Sequence, residues 1–484
     1  MRKRFELQLR IGQTPISEIY IPQKSKNALD QLISAMKEIY CNNEYNDKIF
    51  SIIEKYLPKV DRNNGRPGMN LWTIFVLGQV RMSLGLSYDM LQNLSNNHLL
   101  LRKLLGFSEV FGEESFEFTY QNIYDNVSKL SDEMLKELNE VIVEFGHREV
   151  FKKKETTALH LKTDSFVVES NVHFPTDYNL LWDCARKCLD TVDFFIEKYP
   201  KIKGWRKIQH WRSELKSQMR TVGRISGGGG KNKQEKLQKA VESYLTKSRL
   251  LLQKLVLEQE HLPFGDEMDL VKHCELDNYK ELLVKHIDLV DRRILGGESI
   301  PHAEKMMSIF ETYTEWVVKG KFRPSVELGK KVSITSDQFG LILYHKVMNH
   351  EQDRDIVVEI ADQMLHKYKP IASMSFDKGH WDAQNKSLLE LEIPWVVLPK
   401  LGKRTEKEKE IEQSRMFNCL KNKHSAIESN INELEHRGLD RCPDRNYFHF
   451  KTYIALGVCA YNLKKIGKKI LENKIQEIPL KQAA

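Results

Sequence analysis

The sequence predicts an α/β protein whose small sheet core is divided by a long helical insertion. Short-period, β-branched alternation occurs at 159–170 and does not resume until Val332. Between Asp177 and about Val318 the chain is charged and has helical periodicity, broken by a glycine-rich turn at 227–230. At 484 residues the chain is too long for one hydrophobic core. Several domains are therefore expected.

The first 150 residues read as helical. The apolar segment Leu71–Ser83 follows a Gly65-Arg-Pro-Gly turn, and Ser87 is placed to cap a second short helix. Two helices joined by a tight glycine-containing turn are typical of a helix-turn-helix, although an ordinary helical hairpin has the same pattern. A single further helix is predicted from Gln121 to Phe145.

The pattern after the insertion predicts the rest of a core of about five strands. Lys331–Ser336 and Leu341–Val347 flank a turn that contains Gly340, which is typical of a β-hairpin. Asp355 to Lys367 reads as helical, and two more strands follow at 371–376 and 395–399. From Thr405 to Lys474 the chain is again helical, with a break at Gly438.

These patterns define four regions. They are a helical N-terminal domain at 1–150, an α/β core at 151–176 and 331–436, a helical insertion at 177–330, and a C-terminal helical region at 437–484. Hydrophobic residues make up 41% of the chain and charged residues 29%, which is typical of a globular protein.

Composition also excludes several classes of protein. The seven cysteines are odd in number and include no C-x-x-C pair, which favours free thiols in a reducing compartment. The longest nearly apolar stretch, Tyr453 to Tyr461, is about half the roughly 20 residues that a membrane span needs. Glu6 follows the basic start where a signal peptide would be apolar. We therefore expect a cytoplasmic protein that does not contact membranes.

Three carboxylates stand where they could hold divalent cations. Asp164 lies on the first core strand, Asp377 ends the strand 371–376, and Glu428 lies on a later helix. That helix has an apolar stripe formed by Leu420, Ile427, Ile431 and Leu434. Hard oxygen ligands select Mg²⁺ or Mn²⁺, and two such ions support in-line phosphoryl transfer. With 67 acidic residues in the chain, however, spacing alone does not single out this triple.

The local sequence around each acid resembles the DDE transposases of bacterial insertion sequences, and within them the ISNCY-type group. Thr163-Asp-Ser-Phe-Val-Val-Glu-Ser is similar to the first-aspartate motif of that family, and Phe376-Asp-Lys-Gly-His-Trp to the second. His424-Ser-Ala-Ile-Glu-Ser-Asn-Ile-Asn-Glu-Leu resembles its glutamate helix. Gly65-Arg-Pro-Gly-Met through Leu104-Leu-Gly resembles the helical domain that precedes the catalytic core.

This resemblance, which spans about residues 60 to 465, implies an RNase H-like core with Asp164, Asp377 and Glu428 as catalytic triad and as ligands of two Mg²⁺ or Mn²⁺ ions. It implies DNA strand cleavage and strand transfer at the ends of an insertion sequence. The implied partners are double-stranded DNA, namely the terminal inverted repeats and the target, and a second copy of the chain in a homodimeric synaptic complex. The N-terminal helices would then bind DNA, and the protein would act at the bacterial nucleoid.

Two basic stretches are candidate DNA contacts. Between Lys201 and Arg224 there are eight basic residues and one acid, Glu214, with two interleaved tryptophans. The second stretch leads to and follows the glutamate helix, where acids at 406–412 partly offset its charge. The residues predicted to contact DNA are Trp205, Arg206, Lys207, Trp211, Arg212, Arg220, Lys403, Arg404, Arg437 and Arg441. In the alternative reading, the tryptophans belong to the core of the insertion and the charges form a solvated face.

Three other functions are compatible with the sequence. An RNase H-like nuclease without strand transfer would use the same carboxylates, and a catalytically inactive, transposase-derived protein would only bind DNA. A metal-dependent hydrolase of small phosphoesters is a third alternative, which the basic, aromatic insertion disfavours. Among competing acids, Asp337 reads as part of a turn, and Asp353 and Asp355 as helix caps.

Overall fold

The computed structural model describes residues 4, 14–57, 68–107, 117–205, 207–318 and 326–476. The chain divides into two compact units. The first combines Met1–Asn171 with Val317–Ala484, and the second is Val172–Trp316. The predicted insertion at 177–330 thus compares with a unit at 172–316, and the boundary predicted at residue 150 does not coincide with a boundary between units.

Among the described residues of the first unit, seven α-helices precede the sheet. They are α1 (Ala28–Cys41), α2 (Asn43–Tyr56), α3 (Leu71–Ser83), α4 (Tyr88–Asn97), α5 (Leu99–Leu104), α6 (Tyr120–Val127) and α7 (Asp132–Phe145). Ser87 caps α4 as predicted, because its Oγ accepts a hydrogen bond from the Met90 amide at 3.2 Å. The single helix predicted from Gln121 to Phe145 is wrong, because the chain turns at 128–131 and Ser131 caps a new helix.

The pair α3 and α4 has the features of a buried hairpin. Every residue of α3 is buried, and Gly85 adopts a φ of +62° in the turn between the helices. The second helix, which would read DNA in a helix-turn-helix, contains no lysine or arginine. The structure therefore favours the ordinary helical hairpin. Residues 65–67 of the predicted preceding turn lie outside the described residues.

The last helix, α17 (Tyr447–Gln476), organises the helical part of this unit. It packs against α1, α3 and α7. The contact with α1 is so close that a Cβ on Gly467 would stand 1.7 Å from the Gln31 carbonyl oxygen. The N-terminal and C-terminal helices therefore share one core.

The described residues also form a mixed six-stranded sheet. Its strands are β1 (Leu159–Glu169), β2 (Glu315–Val318), β3 (Val326–Ser336), β4 (Ile342–Val347), β5 (Ile371–Phe376) and β6 (Trp395–Val397). The order is β2-β3-β1-β5-β6, with β4 also paired to β3. The pairs β1–β3 and β3–β4 are antiparallel, whereas β1–β5 and β5–β6 are parallel. The molecule is therefore a mixed α/β protein.

The predicted hairpin is confirmed. The Asp337 amide donates to the Leu341 carbonyl at 3.0 Å, and Gly340 has a φ of +78° in the turn. The predicted start of the first hairpin strand at Lys331 is wrong, since β3 begins at Val326, and β2 was not predicted at all. Both differences lie in the last part of the predicted insertion at 177–330, which contains strand residues and is therefore not entirely helical.

Five α-helices lie between the hairpin and α17. They are α12 (Val357–Lys367), α13 (Ala383–Glu392), α14 (Glu406–Gln413), α15 (Arg415–His424) and α16 (Ala426–Leu434). The helix α15 packs against β5 and β6, and α16 packs against β1. The apolar stripe predicted for one continuous helix is buried as expected, but a break at Ser425 divides it between α15 and α16.

The second unit is built from four long helices. They are α8 (Asp177–Lys198), α9 (Ile208–Gly227), α10 (Lys233–Glu258) and α11 (Glu267–Val290). Leucines from all four, including Leu181, Leu215, Leu245 and Leu283, meet in its core. The expected thiols are confirmed, since none of the seven cysteines, all of them in the described ranges, forms a disulfide. None of the described helices carries an apolar stretch long enough to cross a membrane.

Candidate active site

Asp164 and Asp377 lie side by side at one edge of the sheet. The parallel pairing of β1 with β5 places Thr163 opposite Phe376, so the next residue on each chain is an aspartate. The Asp164 Oδ1 accepts a hydrogen bond from the Ser165 amide at 2.7 Å. The two aspartates are therefore brought together by strand register, although 212 residues separate them along the chain.

This arrangement is electrostatically unfavourable for Asp164. Burial raises the pKa of its carboxyl, and the negative charges of Asp377 and Asp353 raise it further. The Ser165 amide and His380 oppose this rise but do not cancel it, and the pKa of Asp164 is about 6. A carboxylate held in this way gains from any cation that binds beside it.

Asp377 is held by the turn that follows β5. Its Oδ1 accepts hydrogen bonds from the Gly379 amide at 3.0 Å and from the Nδ1 of His380. Burial raises the pKa of Asp377, but the hydrogen bond and the charge of His380 outweigh burial, and the pKa is lowered. The His380 ring is fully buried, and its Nε2 has no partner among the described residues. His380 therefore orients Asp377, a role that the sequence did not indicate.

Glu428 stands apart from the aspartate pair. It lies in the first turn of α16 and is exposed. Within the described part of the chain no side chain forms a hydrogen bond or salt bridge with its carboxylate. No three of the described His, Cys, Asp or Glu side chains meet closely enough to hold a metal ion. The structure therefore joins two of the three predicted ligands and leaves the third separate.

His424 connects the end of α15 to the strand that carries Asp377. Its Nδ1 lies 3.0 Å from the Ser375 Oγ, two residues before Asp377. Burial lowers the pKa of His424 to about 4, so the ring is neutral at pH 7. This contact fixes the start of the segment that contains Glu428.

Asp353 belongs to the site, contrary to its predicted role as a helix cap. Its Oδ1 accepts from the Ser165 hydroxyl at 2.7 Å, and its Oδ2 pairs with the Lys331 ammonium at 2.9 Å. Asp355 does the capping instead, accepting from the Gln352 amide at 2.8 Å. A signal in the sequence existed, since the two acids are two residues apart and only one can cap the helix.

Asp337 is a structural residue, as predicted. It is fully buried, it accepts hydrogen bonds from the Phe339 and Leu341 amides, and its Oδ2 lies 2.6 Å from the His147 Nε2. The side chain of Asp337 is therefore occupied by contacts within the protein.

The tryptophans predicted to contact DNA are used inside the second unit. Trp205 is buried in its core, with the Lys254 ammonium 4.8 Å from its ring centroid. Trp211 packs at the edge of that core, with Lys247 at 4.0 Å from its ring. A core role is therefore confirmed for Trp205, a residue that is only 4% exposed.

The basic residues of the first stretch divide into two groups. Arg212 is tied to Asp190 at 2.8 Å and to Asp193 at 3.2 Å, which leaves it little freedom to contact phosphates. Lys207 and Arg220 are exposed. Arg206 lies outside the described residues.

The second stretch also has internal partners. Arg404 pairs with Glu412 at 2.7 Å, and Arg441 donates to the Asn171 side chain at 3.2 Å. Lys403 is exposed and Arg437 is half-buried. Of the four predicted contacts in this stretch, Lys403 and Arg441 are therefore the ones exposed to solvent.

Neither a protein-family model, a curated protein nor a solved structure matches this chain.

Proposed function

We propose that this protein is a DDE transposase that cleaves DNA strands at the ends of an insertion sequence and joins them to target DNA with Mg²⁺ or Mn²⁺. The observation that carries the proposal is the aspartate pair. Asp164 and Asp377 are adjacent, and burial together with the negative charge of Asp377 raises the pKa of Asp164. Such an arrangement is a cost to the fold unless a cation offsets it.

The position of this pair supports an RNase H-like core, the fold that the resemblance to DDE transposases implies. The sheet is mixed, and β1 lies centrally between an antiparallel and a parallel neighbour. Asp164 lies on β1, and Asp377 follows the parallel neighbour β5. The sheet is compatible with that core, and we include the RNase H-like fold in the proposal.

The donor set fits a hard divalent ion. Carboxylate oxygens are the ligands that Mg²⁺ and Mn²⁺ prefer, and Asp164 and Asp377 supply four of them within one edge of the sheet. Glu428 would complete the set, and its carboxylate is exposed and has no partner within the described chain. When bound, two such ions activate a water or 3′-hydroxyl and stabilise the leaving oxygen of a phosphodiester.

The protein's own residues would prepare this site. His380 orients Asp377 through Nδ1, and the Gly379 amide holds the same oxygen. The Ser165 amide fixes Asp164, and the Ser165 hydroxyl fixes Asp353 beside it. These contacts hold the aspartates before an ion or DNA arrives, which reduces the reorganisation needed for catalysis.

The test is metal-dependent cleavage of plasmid DNA and joining of DNA ends by the purified full chain. We expect nicking with Mg²⁺ or Mn²⁺, little with Ca²⁺, and none in EDTA. Asp164→Ala, Asp377→Ala and Glu428→Gln should each abolish cleavage and leave DNA binding largely intact. Glu410→Gln, an exposed acid on α14, is the matched control and should retain full activity.

The outcomes separate the proposal from its alternatives. Cleavage in EDTA, or near-normal cleavage by an Asp164 or Asp377 variant, would contradict the metal mechanism. Cleavage without joining of a duplex that carries a free 3′-hydroxyl end would identify a nuclease that lacks strand transfer. Metal-independent DNA binding without any cleavage would identify a transposase-derived DNA-binding protein.

A further inference from the structure

We propose that a basic, hydroxyl-lined pocket beside the aspartate pair binds a phosphate of the DNA strand that enters the active site. The pocket has a volume of about 400 Å³ and lies between the sheet and the segment joining α15 to α16. The anion-binding character follows from the lining residues alone. The identity of the anion as a DNA phosphodiester rests on the proposed function.

The pocket continues the row of the aspartates along the same face of the sheet. Strand register pairs Lys162 with Ser375 and His160 with Ser373. Alternate residues of a strand share a face, so these two rows lie on the same side as Asp164 and Asp377. Because a strand rises about 3.3 Å per residue, the row of Lys162 lies about 7 Å from the acids.

The ionisable side chains that line the pocket are all basic. Lys162, His160 and Lys423 line it together with four serine hydroxyls, and no carboxylate does. Lys162 is only 8% exposed, and its ammonium donates to the Asp337 carbonyl oxygen at 2.7 Å. Within the described residues neither lysine has a carboxylate within salt-bridge distance. Lys162 is a largely buried cation, and a bound anion would offset the cost of its burial.

The three basic groups face the same space. Burial lowers the pKa of His160, and the positive charges of Lys423 and Lys162 lower it further. The His160 Nδ1 lies 2.8 Å from the Ser373 Oγ, which directs this ring along the pocket. The charges of Lys162 and Lys423 repel each other across this hydroxyl-lined cavity, and phosphate oxygens between them would relieve that repulsion.

The distance to the acids favours a phosphate of the same strand over an unrelated ligand. One DNA strand rises about 3.4 Å per nucleotide, so a phosphate about 7 Å from the acids lies one or two nucleotides from the bond to be cut. Ser429 lines the pocket and directly follows Glu428 on α16. An anion bound in the pocket would therefore contact the same turn of α16 that carries Glu428, the third proposed metal ligand.

The experiment compares Lys423→Gln with Lys421→Gln, an exposed lysine on the same helix that does not line the pocket. Binding of a fluorescent duplex is measured by anisotropy in EDTA over a range of salt. We expect Lys423→Gln to weaken binding about 5-fold and to reduce the salt slope by about one counter-ion, with Lys421→Gln near wild type. Ser429→Asp should weaken binding more than Ser429→Ala, because it adds a negative charge to the pocket.

A buried variant supplies a second readout. Lys162→Met should also weaken DNA binding, and it is interpreted only if circular dichroism shows a native fold. Equal salt slopes for Lys423→Gln and Lys421→Gln, with Ser429→Asp binding as well as Ser429→Ala, would overturn the proposal.

Two arms separate this proposal from the proposed function and from free phosphate. If the Lys423 effect on binding is found but wild type cleaves no DNA with Mg²⁺, the pocket stands and the transposase function fails. If cleavage is normal but the Lys423 effect is missing, the pocket fails alone. In the last arm, inorganic phosphate stabilises wild type against heat but does not stabilise Lys423→Gln, and Lys423→Gln binds DNA as well as wild type does. This result would assign the pocket to free phosphate and overturn the DNA assignment.

Discussion

Replacing Asp164 with asparagine should stabilise the metal-free protein at neutral and alkaline pH. The folded protein holds Asp164 with a pKa of about 6, against 3.8 for an ordinary aspartate. At about 1.4 kcal/mol per pKa unit, this difference corresponds to an upper bound of about 3 kcal/mol of folding free energy. Asparagine keeps the oxygen that accepts from the Ser165 amide but carries no charge, so we expect a gain of about 1–3 kcal/mol.

The pH dependence has a defined sign. The folded pKa lies above the unfolded one, so the folded state binds the proton more tightly. The penalty is absent below about pH 4, where both states are protonated, and it grows as the pH rises through 6. The advantage of Asp164→Asn over wild type should therefore be complete at pH 8 and should vanish near pH 4.

The measurement is urea unfolding of wild type and variant at both pH values, with EDTA present throughout. Asp353→Asn is the matched control, because Asp353 pairs with Lys331 and accepts from Ser165. Removing its charge should destabilise the protein by about 1–2 kcal/mol. If Asp164→Asn is no more stable than wild type at pH 8, burial and the neighbouring carboxylates do not penalise the charged form of Asp164. The observation that carries the proposed function would then be lost.

Three further predictions concern folding and DNA binding. Arg81→Met should cost about 2–4 kcal/mol in urea unfolding, because it leaves the partly buried carboxylate of Asp444, now paired at 2.7 Å, without its cation; an unchanged midpoint would contradict this. Gly467→Ala should cost about 3 kcal/mol or more, because a Cβ there would overlap backbone, whereas Gly227→Ala, with open space around it, should be near neutral. Replacing the exposed basic residues of the second unit with alanine should flatten the salt dependence of DNA binding by up to about four counter-ions. Arg212→Ala should not change this dependence, because Arg212 is already paired with an aspartate. An equal salt slope in the two variants would assign these charges to a solvated face. The four exposed residues are Lys207, Lys216, Arg220 and Arg224.

Elements whose signals are local were predictable. The cap at Ser87, the turn at Gly340 and the strand that carries Asp164 depend on neighbouring residues, and the structure contains all three. The break before Ser131 and the strand β2 were missed, since a serine inside an apolar helical pattern and a four-residue edge strand carry weak local signals.

The sequence by itself determined the alternation of helical and strand segments and the approximate position of the insertion. It also singled out Asp164 and Asp377 as candidate metal ligands, because periodicity and motifs depend on residues that are close together along the chain. Only the tertiary structure decided which charges meet. In the structure, Asp353 contacts Ser165 beside the aspartate pair and does not cap a helix. Trp205 is buried, and Arg212 pairs with two aspartates. Burial and Coulomb interactions depend on distances through space, and those distances arise only when strand register and helix packing bring remote residues together.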